Sequence, residues 1–453
     1  MALAQTSESV LHAITPGVCQ DLFYAGTTNT QVQCFNALND NRFVLTPSSQ
    51  TFGSSSSLIF NPTQGLSDIV ITATLPSATS ASNNTGVWGG YALPAGWLAA
   101  SINTVALRIG GSSLYYWTGA QILIDTLAMC ENGTKQQAVF NKAGAALYQG
   151  VPTLTPGSPA ATVTQMPVND PTNPLYAASI YLKMPFNVIS SLQKTLPLNS
   201  DILTQPVQFI ITFNPVANWA FPMVTSPTLA NLPTAFQTLT ARFRQTTLVN
   251  SEHLISRRHD MNSQMLVSPL RDFAQTEFTT QTAAVAAGTP FSINATGLRS
   301  GSIKWIDVWV TGASSTGAGN NFNYVPISSL SMLVNGLVYY QADNYEASFW
   351  NLCDSPVPLS FAATQYALTA ATTNTLTYTL ATPQWYRIQL GQRPQVLAYE
   401  NDMSLGLNIA NSVVNLNITA GGYSGSQVLT VHCVYHYACN LIGTKGTMEY
   451  LFT

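Results

Sequence analysis

Leu107–Trp117 reads LRIGGSSLYYW, and Ser331–Gln341 reads SMLVNGLVYYQ. Each stretch runs an apolar segment into a glycine turn (Gly111, Gly336) and then, after a few residues, into a pair of tyrosines, Tyr115–Tyr116 and Tyr339–Tyr340. The two pairs stand about 220 residues apart in a chain of 453, close to half its length. Helix signals follow each one: Gly119–Met129 in the first half, and in the second Asp343–Leu352, which opens on an aspartate and sets Tyr345 and Phe349 one turn apart. Each half closes on a long alternating segment, near Val207–Phe213 and near Val428–Ala438. One topology used twice, head to tail, accounts for these offsets together. The competing explanation is a chance match of short hydrophobic motifs.

Outward from the repeat, alternation dominates. In Asp68–Pro76, Ile69, Ile71, Ala73 and Leu75 share one face; in Pro206–Phe213, Val207, Phe209, Ile211 and Phe213 do the same. Ile303–Val310, Thr375–Leu380, Val413–Ile418 and Gln427–Ala438 follow suit. A period of two in segments rich in Val, Ile, Thr and Tyr, punctuated by Gly, Pro and Asn, predicts antiparallel strands in sandwiches or barrels. Helix is scarce, with Gln136–Leu147 the one further candidate. Long loops rich in Pro, Thr and Gly lie at Ser80–Gly96, Gly150–Pro174 and Thr311–Asn323, and loops of that length tend to be functional.

Apolar residues make up 46% of the chain, enough for large cores, but charged residues only 8%, against about 25% in an ordinary soluble domain. Hydroxyl, amide and glycine groups must therefore cover most of the surface. Such a surface repels itself weakly and loses little on burial against a neighbour, which suits self-association; an uncharged secreted β protein would share the property. The formal net charge is −3, and Met1–Gly17 holds no Lys or Arg, so direct packaging of nucleic acid by a basic arm is not expected. The six cysteines form no CxxC pair and no dense disulfide framework, which favours a reducing compartment. No signal peptide is expected in the opening residues, and no apolar run reaches the length of about 18 residues that spans a bilayer.

Three stretches resemble a known family, the double jelly-roll major capsid proteins of large icosahedral double-stranded DNA viruses, a lineage that includes the nucleocytoplasmic large DNA viruses and adenovirus hexon. RIGGSSLYYWTGAQ (Arg108–Gln121) is similar to the turn placed before the first-domain helix. Met184–Phe213 carries a Pro-Phe pair, Pro185–Phe186, a Leu-Pro-Leu element, Leu196–Leu198, and a closing strand at matching spacing. Leu429–Phe452 is similar to the final strand and tail, with Gly443, Gly446 and a last Tyr450. A weaker likeness lies in Ala241–Ile255, where the family has an Arg-rich strand and a His/Glu connection. The Met-rich final turn of the family is replaced here by Gly-Thr-Lys-Gly-Thr. The resemblance implies homotrimers whose six jelly rolls form a near-hexagonal base, loops that build outward towers, and assembly over an internal membrane.

No catalytic signature stands out. GGYSGS (Gly421–Ser426) is out of register for a nucleophile elbow, and neither HExxH nor a P-loop is present. The densest ligand candidate is His432, Cys433, His436 and Cys439. On a strand the two histidines share one face and the two cysteines the other, so the four cannot converge on one zinc; a satisfied core is the expected reading. The one dense run of charge is Glu252, His253, Arg257, Arg258, His259 and Asp260, either a solvated loop between domains or an intersubunit ion-pair network. Glycosylation triplets occur at Asn83, Asn132, Asn294 and Asn417; Ser and Thr are frequent enough that chance supplies several, and Asn417 falls in a strand pattern.

These readings predict an all-β chain of two tandem eight-stranded antiparallel jelly-roll sandwiches, with an N-terminal arm (1–20), a first sandwich (21–240) and a second (241–453), the boundary lying near Ala235–Asn250. The expected function is that of a non-enzymatic major capsid protein without cofactor or metal. It would trimerise, tile an icosahedral shell in the virion and assemble in the host cytoplasm. Expected partners are its own copies, penton and minor capsid proteins and an internal membrane, with no direct contact to nucleic acid. The alternatives are a secreted carbohydrate-active or carbohydrate-binding β-sandwich, which needs poised carboxylates in an aromatic cleft, and a viral spike or vertex protein, which needs only one sandwich.

Overall fold

The computed structural model describes residues 39–45, 47–60, 65–76, 91–92, 96–109, 112–128, 138–140, 142–144, 147–148, 164–165, 177–182, 198–199, 206–222, 233–247, 266–280, 283–295, 297–312, 324–343, 346, 369–370, 376–377, 385–390, 407–409, 412–421, 425–444 and 447–452.

Among the described residues the first half holds eight principal strands: β1 (Asn39–Leu45), β2 (Ser55–Phe60), β3 (Gly65–Thr74), β4 (Ile102–Ile109), β5 (Ser112–Thr118), β6 (Ala177–Leu182), β7 (Val207–Phe213) and β8 (Thr238–Thr247). They form two antiparallel sheets, ordered β1-β8-β3-β6 and β2-β7-β4-β5. The second half repeats the pattern with β9 (Leu266–Thr280), β10 (Pro290–Ala295), β11 (Ser302–Gly312), β12 (Ile327–Val334), β13 (Leu337–Asp343), β14 (Tyr386–Gln389), β15 (Val414–Ala420) and β16 (Leu429–Thr444). Its sheets run β9-β16-β11-β14 and β10-β15-β12-β13. Strand for strand the orders are the same. Even a minor feature recurs: the two-residue strand Leu198–Asn199 pairs with β3, and Leu407–Asn408 pairs with its counterpart β11. The second half adds β17 (Thr447–Phe452), which folds back on β16. The chain is a double jelly roll.

Alternation builds each sandwich. In β7 every second residue from Val207 to Phe213 is buried, and β15 follows the same rhythm from Val414 to Ala420. Phe209 at the centre of the first core packs edge-on against Phe60, with ring centroids 5.6 Å apart. β8 pairs with both β1 and β3, so the first sandwich extends to Thr247, past the residue 240 at which it was expected to end.

The hairpins at the heart of the repeat match in detail. β4 and β5 are joined by two residues, as are β12 and β13, and each hairpin has one register shift, after Leu107 and after Met332. Beyond the shift Leu107 faces Tyr115 and Met332 faces Tyr340. Tyr115 is therefore the counterpart of Tyr340, and the bulged residues are Leu114 and Tyr339. The tyrosine pairs of the sequence repeat are equivalent one residue out of step, because the bulge inserts a residue that periodicity alone does not locate. At the second turn Asn335 and Gly336 both have positive φ, 51° and 82°, as a two-residue primed hairpin turn requires.

Among the described residues two short helices brace the first sandwich: α1 (Trp97–Ser101) and α2 (Gly119–Ala128), the latter in the expected segment. Gly119 starts α2 so close to α1 that a Cβ there would overlap the carbonyl oxygens of Ala99 and Ile102. Of the Gln136–Leu147 candidate, residues 138–140 and 142 are helical, while Leu147–Tyr148 is a short strand. Asp343–Leu352 lies mostly outside the described residues. Its start is a reciprocal cap: the Glu346 N–H donates to Asp343 Oδ1 (2.8 Å) and the Asp343 N–H donates to Glu346 Oε2 (3.3 Å). The three long loops lie largely outside the described residues.

Candidate functional site

In the strand β11 every residue is buried, from Ser302 to Gly312. One face, with Ile306, Val308 and Val310, serves the second sandwich's own core. In a free-standing sandwich the other face would meet water; here it carries Trp305, Asp307 and Trp309, all buried. Register explains the composition of this face. β16 sets His436 opposite Trp305 and His432 opposite Trp309, and the imidazoles stack on the indoles at 4.6 Å and 5.2 Å between centroids. β14 sets Arg387 opposite Asp307. Arg387 Nε donates to Asp307 Oδ1 at 2.7 Å and Nη2 donates to Oδ2 at 2.9 Å, while His436 Nε2 donates to Oδ2 at 3.1 Å. The Arg387 guanidinium also lies 5.0 Å from the Trp305 ring centre, and the Lys304 ammonium 5.7 Å.

Burial alone would raise the Asp307 carboxyl. The Arg387 guanidinium and the His436 ring outweigh that effect and hold it well below the usual carboxylate range. His432 is different: burial pushes it down to about 3, and its Nε2 lies 2.7 Å from Thr311 Oγ1.

The cluster does not belong to the second sandwich alone. Asp125, buried on α2 of the first, places a carboxylate oxygen within 4.8 Å of both the Asp307 carboxylate and the His436 ring nitrogen. Alongside, β5 of the first sandwich runs against β9 and β17 of the second, and one contiguous cluster of buried apolar side chains extends through both. Two carboxylates and an imidazole at that spacing have the donor types for a cation. However, both Asp307 oxygens already accept hydrogen bonds from Arg387 and His436, and the fixed positive charge of Arg387 opposes an ion. The arrangement is an ion-pair network at the junction of two domains.

The structure thus separates the sequence candidates. His432 and His436 do share a face, with Cys433 buried on the other, and each histidine is engaged by an aromatic and a polar partner. Asp307, the partner of His436, its counter-ion Arg387, and Asp125 across the junction carried no local motif. Arg257, Arg258, His259 and Asp260 lie outside the described residues, as do Asn83 and Asn132. Asn294 stands exposed on β10 opposite Asn415.

A second surface feature is apolar. On the edge strand β13, Leu337, Val338 and Tyr339 are 69%, 57% and 54% exposed. Val413, also exposed, lies beside them: its N–H donates to Asn335 Oδ1 (2.9 Å), and Asn335 N–H donates to its carbonyl (2.9 Å).

No protein-family model matches the sequence, and none of the curated proteins does. Solved structures do match the fold. The chain is similar to Vp54 of PBCV-1, as fitted into a cryo-EM reconstruction of the virophage Sputnik, at 13% identity and a TM-score of 0.56 over 92% of this chain and 97% of that one. It is similar to the Faustovirus major capsid protein at 9% identity and a TM-score of 0.54, covering 92% and 91% of the two chains. The cryo-EM structure of the Sputnik virophage matches at 12% identity and a TM-score of 0.52, over 91% and 88%. Identity this low carries the double jelly-roll architecture and assigns no role to individual residues.

Proposed function

We propose that this chain is a major capsid protein of a double-stranded DNA virus, a structural rather than catalytic protein that trimerises and tiles an icosahedral shell. The observation that carries the reading is the duplicated strand order, two eight-stranded sandwiches joined through a strand with no solvent face. The solved proteins of that architecture include the Faustovirus major capsid protein. Surface chemistry supports it: with 8% charged residues and an apolar edge left in solvent, the molecule is suited to burial against copies of itself. Obligate interfaces of this kind bury about 2,000 Å² or more. The low positive charge fits a shell that does not bind its genome directly; penton and minor proteins, an inner membrane and assembly in the host cytoplasm complete the proposal.

Among the described residues nothing favours the carbohydrate-active reading. Asp125 and Asp307, two carboxylates that come together among the described residues, are buried, and Asp307 is tied to Arg387, which leaves no open acid–base pair there for a sugar. Size-exclusion chromatography with light scattering on the recombinant chain tests the proposal. The expected mass is about three times 48.6 kDa; a stable single-chain mass at micromolar concentration would overturn it.

A further inference from the structure

We infer that the β12–β13 turn is a site of spontaneous deamidation. There the Asn335 side chain loses its amide nitrogen and becomes a carboxylate, assisted by the backbone of Val413 and the hydroxyl of Ser412. The inference goes beyond the shell-forming reading and does not depend on it.

The turn supplies the reacting groups. Asn335 and Gly336 form the loop between the paired residues Val334 and Leu337, and both are exposed to water. An Asn-Gly pair deamidates when the glycine's backbone nitrogen attacks the asparagine Cγ, because no side chain on the second residue hinders the approach. Here that nitrogen is available: among the described residues no hydrogen bond engages the Gly336 N–H. Space is open as well, since a Cβ placed on Gly336 would meet nothing within 4 Å.

The neighbouring segment supplies the assistance. Val413 N–H donates to Asn335 Oδ1 at 2.9 Å. It polarises that carbonyl and is already aimed at the oxygen that turns negative when the Gly336 nitrogen adds. Asn335 Nδ2 donates to Ser412 Oγ at 3.3 Å. As Nδ2 becomes basic in the tetrahedral adduct, the rotating Ser412 hydroxyl can turn its own proton toward it. The Asn335 N–H, bonded to the Val413 carbonyl at 2.9 Å, holds the residue in place.

The atoms balance with water as the co-reactant. The Gly336 nitrogen gives up its proton to solvent and bonds to Cγ, the Cγ–Nδ2 bond breaks, and Nδ2 leaves as ammonia. Water then opens the cyclic imide, at Cγ to give aspartate or at the Asn335 backbone carbonyl to give isoaspartate. Either product puts a negative charge beside Leu337, Val338 and Tyr339, an exposed edge whose sequence from Leu337 to Ala342 holds none. Isoaspartate also routes the main chain through Cβ and lengthens a turn that fits two residues. The apolar edge therefore changes its surface chemistry with age.

The test incubates the folded full-length chain at neutral pH for several weeks and maps its peptides by mass spectrometry. Asn335→Asp marks the aspartate product, and the map separates it from Asn132–Gly133, the other Asn-Gly pair in the sequence. Asn335 is expected to convert in the folded chain at least as fast as in the same chain unfolded in guanidinium chloride. Ser412→Ala is expected to slow the folded-state conversion by about tenfold, a modest share of what a positioned proton donor supplies, and to leave the rate in denaturant unchanged. An Asn335 that stays intact in the folded chain while converting in denaturant would overturn the inference. So would a folded-state rate in Ser412→Ala equal to or above that of wild type, since the hydroxyl would then only restrain the amide. Thermal unfolding confirms that the variant folds; if it does not, the comparison of folded with unfolded wild type decides.

Discussion

Asp307 and Arg387 face each other across β11 and β14 and close a two-pronged ion pair, at 2.7 Å and 2.9 Å, in the buried junction between two sandwiches. Removing one partner leaves a buried charge uncompensated, which costs far more than the pair contributes when both are present. Asp307→Asn is expected to lower stability by about 3–5 kcal/mol in urea unfolding. Asp307→Leu combined with Arg387→Met is expected to recover most of that loss, since two apolar groups demand no counter-charge. A double variant as unstable as the single one would show that the pair does more than neutralise itself.

Acid should act through two groups in the same direction. Asp307 titrates well below its unfolded value of about 3.9, so the stability it contributes is present above about pH 4 and is lost as pH falls through its folded pKa. His432 is held neutral by burial, pushed down to about 3 from 6.5. Between those values the unfolded chain binds the extra proton, and stability declines as pH falls. Melting temperatures measured from pH 7 to pH 3 should begin to drop near pH 6.5, and in His432→Gln the onset should move toward pH 4. An unchanged onset in the variant would rule out His432 as its source.

Gly119 meets the backbone rather than a movable side chain. A Cβ in Gly119→Ala overlaps the carbonyl oxygens of Ala99 and Ile102, so α1 and α2 must move apart. Overpacking of this kind costs about 1–3 kcal/mol or more, and the variant is expected to melt several degrees below wild type. An unchanged melting temperature would mean that the helix pair relaxes freely.

Asn335 combines a left-handed backbone with three hydrogen bonds to Ser412 and Val413. Asn335→Ala keeps the strain and loses the side-chain bonds, so a cost of about 1–2 kcal/mol is expected. Asn335→Gly should cost less because glycine adopts that conformation freely. If the two variants proved equally stable, the turn would not depend on its backbone geometry.

What the sequence disclosed follows from the length scale of each interaction. Ile69, Ile71 and Ala73, or Val207 through Phe213, announce their strands because alternation is local. The duplication was visible because two hairpins kept both a turn and aromatic residues at about the same offset. The step between Tyr339 and Tyr340 was not, since a bulge is defined by the partner strand. The junction was hidden for the same reason. Asp125, Asp307, Arg387 and His436 come from four distant stretches; only His436 falls in a ligand-like cluster, and each of the others alone looks like an ordinary polar residue in an apolar strand or helix. The pairing of His436 with Trp305 depends on a register shift after Ile303, which no window of sequence reveals.

The strand β11, with no side turned to water, has a consequence for how the two halves can change over time. A second sandwich released from its partner would uncover part of the face that carries Trp305, Asp307 and Trp309 and would be sticky. Neither half is therefore a portable module, and a substitution on one side of the junction must be answered on the other. Drift elsewhere in the chain is unconstrained by this, whereas Asp125, Asp307, Arg387 and His436 are bound to vary as a set.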